Sequence, residues 1–233
     1  MELEKVTKAV KSPRRRHYHD ACAAAHALDL VGERWALLVM RELMMGPRRF
    51  GALRANLPGI SANVLTQRLE GLVAAGVVLR RKLPPPTAYQ VYELTPWGYE
   101  AEPIFQALGR WAARSPLHDP TLPFSNVSLL LSLRTMLDPD CARAVDARIG
   151  LRLGDECYLA HLARGRIEII AGPVEGADLV LTAAAPVLAA AIYGRQPLDT
   201  LEAEGLLGVE GDRALAQRFV SLFPLPSKAD SVA

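Results

Sequence analysis

The sequence predicts an α+β chain in two parts: an N-terminal helical module that ends in a β-hairpin, and a C-terminal module of one sheet with several helices. Three observations carry this reading. The run from Gly46 to Leu79 holds two short amphipathic segments split by Pro58-Gly59 and followed by a β-prone stretch. From Ser115 to Pro123 three prolines interrupt the chain. Beyond them, strand-like runs alternate with glycine turns. Charge divides at the same place: residues 1–116 hold 17 Lys and Arg against 10 Asp and Glu, whereas residues 117–233 hold 10 against 15. A length of 233 residues exceeds one typical domain. The segments predicted are a basic flexible arm at 1–19, a first domain at 20–115, a linker at 116–125, a second domain at 126–225 and a tail at 226–233.

In the first domain, Gly46-Pro47-Arg48-Arg49-Phe50 opens a short helix, Pro58-Gly59 makes a turn and Ser61 caps a second helix. Leu65, Leu69, Leu72 and Val73 recur at helical spacing, forming an apolar stripe that requires burial. Asn63, Gln67 and Glu70 fall on the opposite face, flanked by Thr66 and Arg68. Gly76 suits the left-handed conformation that ends a helix. Amide and hydroxyl groups match base edges in a major groove, and Arg reaches guanine or phosphate. The order is that of a helix-turn-helix whose second helix reads double-stranded DNA. The competing reading is a solvated face on an ordinary domain.

After Gly76, Val77 to Lys82 is β-prone and ends in three consecutive cations, Arg80, Arg81 and Lys82. Pro84-Pro85-Pro86 breaks the run before Tyr89 to Leu94 returns as a second strand. Prolines cannot sit inside a central ladder, so they mark the tip of a hairpin, a wing. The three cations and Arg49 are candidate phosphate contacts; protection of an edge strand by charge is the alternative. Lys11 to Arg16 forms a basic arm that either follows the DNA or simply solubilises the chain.

Several motifs then appear in order. Leu28-Asp29-x-x-Gly32-x-Arg34-Trp35 is followed by Gly46-Pro47-x-Arg49-Phe50 and Gly59-Ile60-Ser61-x-Asn63-x-Leu65-x-x-Arg68-Leu69. Gly76-Val77-Val78 and Tyr92-Glu93-Leu94-Thr95-x-x-Gly98 complete the set. Together they resemble the HxlR family of bacterial winged helix-turn-helix regulators across residues 20–114. The resemblance implies a homodimer that binds an operator through the helix begun by Ser61, with the wing on the adjacent backbone. Many members carry a cysteine just before the first helix. Cys22 stands there, but Ala23 replaces the usual proline.

Cys22, Cys141 and Cys157 are odd in number and lack paired spacing, so no disulfide framework is expected. Cys22 is a candidate redox thiol because it precedes a helix and follows Arg14 to Arg16; a small packed residue at a dimer interface is the alternative. His17, His19, Cys22 and His26 lie close in sequence but match no metal motif, and neither metal nor cofactor is expected.

Thr95 caps and Pro96 begins a predicted helix with Ile104, Leu108 and Trp111 at i, i+4 and i+7, a stripe able to join two subunits. Two-fold pairing would space the reading helices by about 34 Å and select an inverted repeat. Beyond the linker, Val127 to Leu137 reads as an apolar helix and Glu156–Leu162, Arg166–Ala171 and Ala177–Thr182 as strands. Pro186 to Tyr193 reads as a helix, Leu206 to Glu210 as a strand and Asp212 to Phe223 as a closing helix.

Tyr158-Leu159-Ala160-His161-Leu162-x-x-Gly165, Ala177 to Thr182, Gly194, Gly205-x-Leu207-x-Val209-x-Gly211-Asp212 and Phe219-x-x-Leu222-Phe223 resemble the sterol carrier protein type 2 domain. That resemblance implies an apolar tunnel for a hydrophobic small molecule. Val187, Leu188, Ile192, Tyr193, Leu206, Leu207, Phe219 and Phe223 are the candidate pocket residues, and a dry core accounts for them equally well.

No glycine-rich phosphate loop, paired zinc motif or serine elbow appears, so an enzyme is not expected. Without a long apolar run or a signal-like N-terminus, a cytoplasmic protein is expected. The function predicted is transcriptional regulation by a homodimer on an inverted-repeat operator, tuned by a hydrophobic ligand or by oxidation of Cys22. The alternative is a hydrophobe-binding protein whose winged helix serves only dimerisation; the polar face at Asn63 and Gln67 argues for the first.

Overall fold

A computed structural model describes residues 17–84 and 89–230. The basic arm at Lys11 to Arg16 and the tip residues Pro85 and Pro86 lie outside the described residues. The first module contains α1 (Ala23–Val31), α2 (Ala36–Leu43), α3 (Phe50–Asn56) and α4 (Ala62–Ala74). A hairpin follows, β1 (Val78–Lys82) antiparallel to β2 (Gln90–Leu94), in register from Val78↔Leu94 to Lys82↔Gln90. Val39, Leu43, Leu53, Leu65 and Leu69 form its buried centre. Gly76 has a φ of +72°, and the next amide, of Val77, bonds back to the Leu72 carbonyl at 3.0 Å, so the helix ends as its sequence requires. Val73 departs from the predicted stripe and is exposed. At about 100° per residue it lies roughly 80° from the centre of the face set by Leu65, Leu69 and Leu72.

Thr95 caps α5 (Pro96–Tyr99) by accepting from the Gly98 amide at 3.0 Å. The helix predicted beyond Thr95 is in fact two, because α6 (Glu102–Ala113) starts afresh. Pro103 supplies no amide proton and its ring opposes the carbonyl four residues earlier, so the first turn cannot continue.

The second module contains α7 (Asn126–Met136), α8 (Pro139–Ala142), β3 (Ala147–Leu153), β4 (Glu156–Ala163), β5 (Arg166–Ala171) and β6 (Leu179–Ala183). Then come α9 (Ala185–Ile192), α10 (Leu198–Ala203), β7 (Leu207–Gly211) and α11 (Arg213–Val220). The sheet order is β5-β4-β3-β6-β7, with β3 and β6 parallel and the other neighbours antiparallel. The sequence reading missed the central strand β3. Its pattern was legible, since Ala147, Ile149, Leu151 and Leu153 alternate inward against Arg148, Gly150 and Arg152. Gly150 is required there: a Cβ would lie 2.7 Å from that of Val174, which crosses the strand.

The two modules do not part at residue 125. Within α7, Val127 and Leu131 belong to the first module's core, whereas Leu129, Leu130 and Leu133 belong to the second. Its N-cap Ser125 accepts from the Ser128 amide at 3.1 Å and donates to Glu42 at 2.7 Å. Glu42 is fully buried and also accepts from Arg41 at 2.9 Å and Asn56 at 3.1 Å, so one carboxylate joins α2, α3 and α7. On the next faces, Arg134 binds Glu102 at 2.8 Å and the Ile169 carbonyl, and Arg110 donates to the Thr135 carbonyl.

The end of the chain returns to α6. The Ala229 amide donates to the Arg114 carbonyl at 2.8 Å, and Lys228 Nζ donates to the carbonyls of Ala113 at 3.1 Å and Ser115 at 3.0 Å. A cation at a helix C-terminus satisfies carbonyls that have no partner within the helix.

Because α7 lies in both cores, Leu131→Ala should cost about 2 to 5 kcal/mol and lower a single, cooperative melting transition of the whole chain. Calorimetry checks this; two separate transitions would show that the cores are independent.

Candidate nucleic-acid interface

Ser61 Oγ accepts from the Val64 amide at 3.3 Å, fixing the start of α4. Burial of Leu65, Leu69 and Leu72 against the preceding helices sets the rotation of α4. Asn63, Thr66, Gln67 and Glu70 are thereby exposed. Thr66 Oγ1 donates to the Ala62 carbonyl at 3.0 Å, so its methyl faces outward more readily than its hydroxyl.

Arg68 departs from the expectation that it is free to reach a base edge. Its Nε donates to the Arg34 carbonyl at 2.8 Å and its Nη2 lies 3.1 Å from Glu33, with the side chain only 21% exposed. Its position on α4 is about 60° from the centre of the buried stripe, close enough to meet the turn between α1 and α2. That turn holds Trp35 at a φ of +78°, so Arg68 bonds a carbonyl beside a left-handed residue.

The wing lies beside α4 through Val77 and Val78, which are buried. Arg80 donates to Gln90 at 2.6 Å, Gln90 to the Tyr92 hydroxyl at 3.3 Å, and Arg81 to Glu93 at 2.6 Å. These cations are therefore not bare, but Arg81 remains 44% exposed and its pairing is of the solvent-screened kind that adds little stability. Lys82 is exposed at the outer end of β1. Arg49, the N-cap of α3, lays its guanidinium 3.4 Å from the centre of the Tyr89 ring.

Arg48 and Tyr89 were not singled out in the sequence. Arg48 bridges Tyr92 in antiparallel fashion through its own amide and carbonyl, both at 2.9 Å. Its side chain turns away into the second module. The signal for it was weak: one basic residue of a pair, whose partner lies 108 positions later.

Cys22 is exposed at the start of α1, where the amides of Ala25 and Ala24 hold its thiol below the ordinary cysteine range. Cys141 is exposed too, but the neighbouring Asp138 carboxylate pushes its thiol upward. Ile104, Leu108 and Trp111 are 52%, 42% and 74% exposed along α6, and α1 likewise buries no residue.

The candidate pocket residues separate into three groups. Leu188, Leu207, Phe219 and Phe223 are buried in the core, the two phenylalanines meeting edge to face at 5.1 Å, and Val187 packs against them. Leu188 and Phe219, both fully buried, pack as the dry core that is the alternative reading for them. Ile192 and Phe223, both also buried in that core, and the partly buried Tyr193 border an open groove of about 560 Å³ between α9, α10, α11 and the returning tail. Arg195 stands on its rim. The Tyr193 hydroxyl lies 2.7 Å from Ser132 Oγ, and burial pushes its pKa up. Leu206 is 47% exposed and lines nothing here; it precedes β7, where Leu207 takes the inward position and its neighbour must face out.

Among the described residues, no helix is long and apolar enough to cross a membrane. A family model described as HxlR-like helix-turn-helix matches residues 30–118, from α1 through the wing to just past α6. The uncharacterised HTH-type transcriptional regulator sll1512 of Synechocystis sp. is 39% identical over 87 residues, which are 37% of this chain and 64% of that protein. The chain therefore spans slightly under two thirds of that relative's length. YvaP, an uncharacterised HTH-type transcriptional regulator of Bacillus subtilis, is 36% identical over 86 residues, 37% of this chain and 80% of that one. The crystal structure of quinone-bound YodB from B. subtilis has 32% sequence identity and a TM-score of 0.34, covering 38% of this chain and 93% of that one. With four fifths of YvaP aligned and the family model spanning the capped helix and the wing, the chain belongs to the HxlR-like helix-turn-helix family.

Proposed function

We propose that this protein is a transcriptional regulator, not an enzyme, whose homodimer binds an inverted-repeat operator. The observation that carries this reading is the polar face of α4, exposed beside a hairpin with three consecutive cations. A winged helix kept only as a dimerisation scaffold gives no reason for Asn63 and Gln67 to stand outward. These two side chains read base edges, with Thr66 at their flank, while Ser61 orients the helix start. Arg49, Arg80, Arg81 and Lys82 hold phosphates. Arg80 and Arg81 exchange Gln90 and Glu93 for phosphate oxygens, which is inexpensive because both arginines are exposed and their pairings are screened by solvent.

Exposure of Ile104, Leu108 and Trp111 supports α6 as the dimer surface, since apolar side chains so far out of a core gain from a second copy. In the second module we retain the sterol carrier protein 2-like reading, supported by a mixed sheet with helices packed on it. Its effector is a hydrophobic small molecule held in the groove beside Ile192, Tyr193 and Phe223 rather than in a central tunnel. Arg195, with no carboxylate along that groove, favours an acidic end on an apolar body. Oxidation of Cys22 is a second input, supported by its exposure and its lowered pKa.

Four outcomes are expected. Gln67→Ala relaxes the base preference measured on a randomised duplex pool and costs about 1 to 3 kcal/mol on the preferred site. Arg81→Ala weakens all sequences alike and flattens the salt dependence by about one unit; an unchanged salt slope would remove Arg81 from the phosphate set. Decanoate raises the melting temperature of the wild type but not of Val220→Glu, which places a negative charge in the groove; equal shifts in both would locate binding elsewhere. A thiol whose pKa is lowered is deprotonated at lower pH than one whose pKa is raised. As pH is increased from 6, iodoacetamide should therefore modify Cys22 before Cys141, as peptide mass spectrometry would show.

A further inference from the structure

We propose that Glu156 and Tyr158 of the second module are positioning residues for the wing, acting through Arg48. Three observations converge on this contact. First, the Arg48 side chain is only 13% exposed and is enclosed by acceptors from the second module. Its Nη1 pairs with Glu156 Oε1 and its Nη2 donates to the Tyr158 hydroxyl at 3.0 Å. Second, the far side of Glu156 is also satisfied. Oε2 accepts from the Tyr158 hydroxyl at 2.8 Å and from Asn126 at 2.8 Å, and Asn126 further binds the Leu153 carbonyl at 3.0 Å. The pair is partly withdrawn from water, with Arg48 13% and Glu156 31% exposed, and both oxygens of the Glu156 carboxylate are bonded, which favours this one arrangement.

Third, the backbone of Arg48 is part of the wing. Its two bonds to Tyr92 add a one-residue third strand to the hairpin, and the adjacent Arg49 stacks on Tyr89. β2 and the residue before it are thus held at Tyr92 and Tyr89 by consecutive residues, the first of which is fastened to β4. A two-stranded hairpin is marginal on its own in water, so its direction depends on such supports. The second module consequently determines where Arg80, Arg81 and Lys82 stand relative to α4. The inference uses the DNA-binding reading only for its consequence; the positioning itself is a property of the free protein.

The test uses the full chain with Glu156→Gln, which keeps shape and removes charge, and Tyr158→Phe, which keeps packing and removes two bonds. Hydrogen exchange by mass spectrometry compares the segment 78–94 with the segment 62–74. Both variants should speed exchange in the wing roughly tenfold while leaving α4 unchanged, and Arg48→Lys, which keeps the charge pair, should fall between them and the wild type. On duplexes selected from a randomised pool by the wild type, hydroxyl-radical protection by the wing should be lost while the base preference set by α4 persists. Unchanged wing exchange in both variants overturns the proposal. So does equal acceleration in both segments, which marks a merely structural contact. If the wild type retards no duplex, the regulatory reading fails, and the exchange comparison still decides the positioning.

Discussion

A helix without a solvent face has to be covered from every side, and α7 is covered by two different modules. Val127 and Leu131 enter the winged-helix core while Leu129, Leu130 and Leu133 enter the core beneath the sheet. Each buried leucine is worth about 1.5 to 3 kcal/mol relative to exposure, so neither module can release α7 without exposing several such side chains. The remaining contacts between the modules follow from this one. With α7 fixed, Ser125 at its start reaches Glu42, Asn126 reaches Glu156, and Arg134 at its far end reaches Glu102. A chain whose composition announces two domains joined by prolines is therefore held as one body through a shared helix.

Apolar burial fixes that the modules meet but is indifferent to small rotations between them. The polar contacts supply the orientation. Glu42 accepts from three different side chains and Glu156 from three more, each at an angle that a sliding interface would not preserve. Buried ionic groups add little net stability once their desolvation is counted, but a misplaced one is costly. The two glutamates thus act mainly to exclude other arrangements. One anchors the helices that support α4, and the other anchors the base of the wing.

Local features were legible from the residues. Ser61 and Gly76 bracket α4 because a side-chain oxygen and a left-handed residue are needed at those two places, and both needs are local. The strand at Arg166–Ala171 and the cap at Thr95 were readable for the same reason. What escaped was set at long range. β3 is the exception, since its alternation of apolar residues with Arg148, Gly150 and Arg152 was local and legible, while its place at the centre of the sheet was not. Arg68 and Arg48 have the composition of DNA contacts, yet their partners, Arg34 and Glu156, are chosen by tertiary packing. Residue type alone cannot distinguish a cation that awaits phosphate from one that already has a carboxylate. The apolar residues of the second module divide for the same reason: that Leu188 and Phe219 pack in the core while Tyr193 borders a groove is a matter of volume rather than pattern.

Electrostatics then connect the one-body arrangement to the proposed reading of DNA. Residues 17–116 hold 11 Lys and Arg against 8 Asp and Glu, and residues 117–233 hold 10 against 15, so phosphate is favoured by the first module and disfavoured by the second. Were the two modules loosely tethered, the acidic one would compete with phosphate for Arg49 and Lys82. Locking Arg48 onto Glu156 occupies one such carboxylate while Lys82 stays exposed. The same contact makes the second module more than an appendage. Any shift of β4 moves the backbone of Arg48, and with it the strand that carries Tyr89 to Leu94, whereas α4 is held by its own leucines. A signal received in the sheet domain would therefore reach phosphate affinity before it reached base preference.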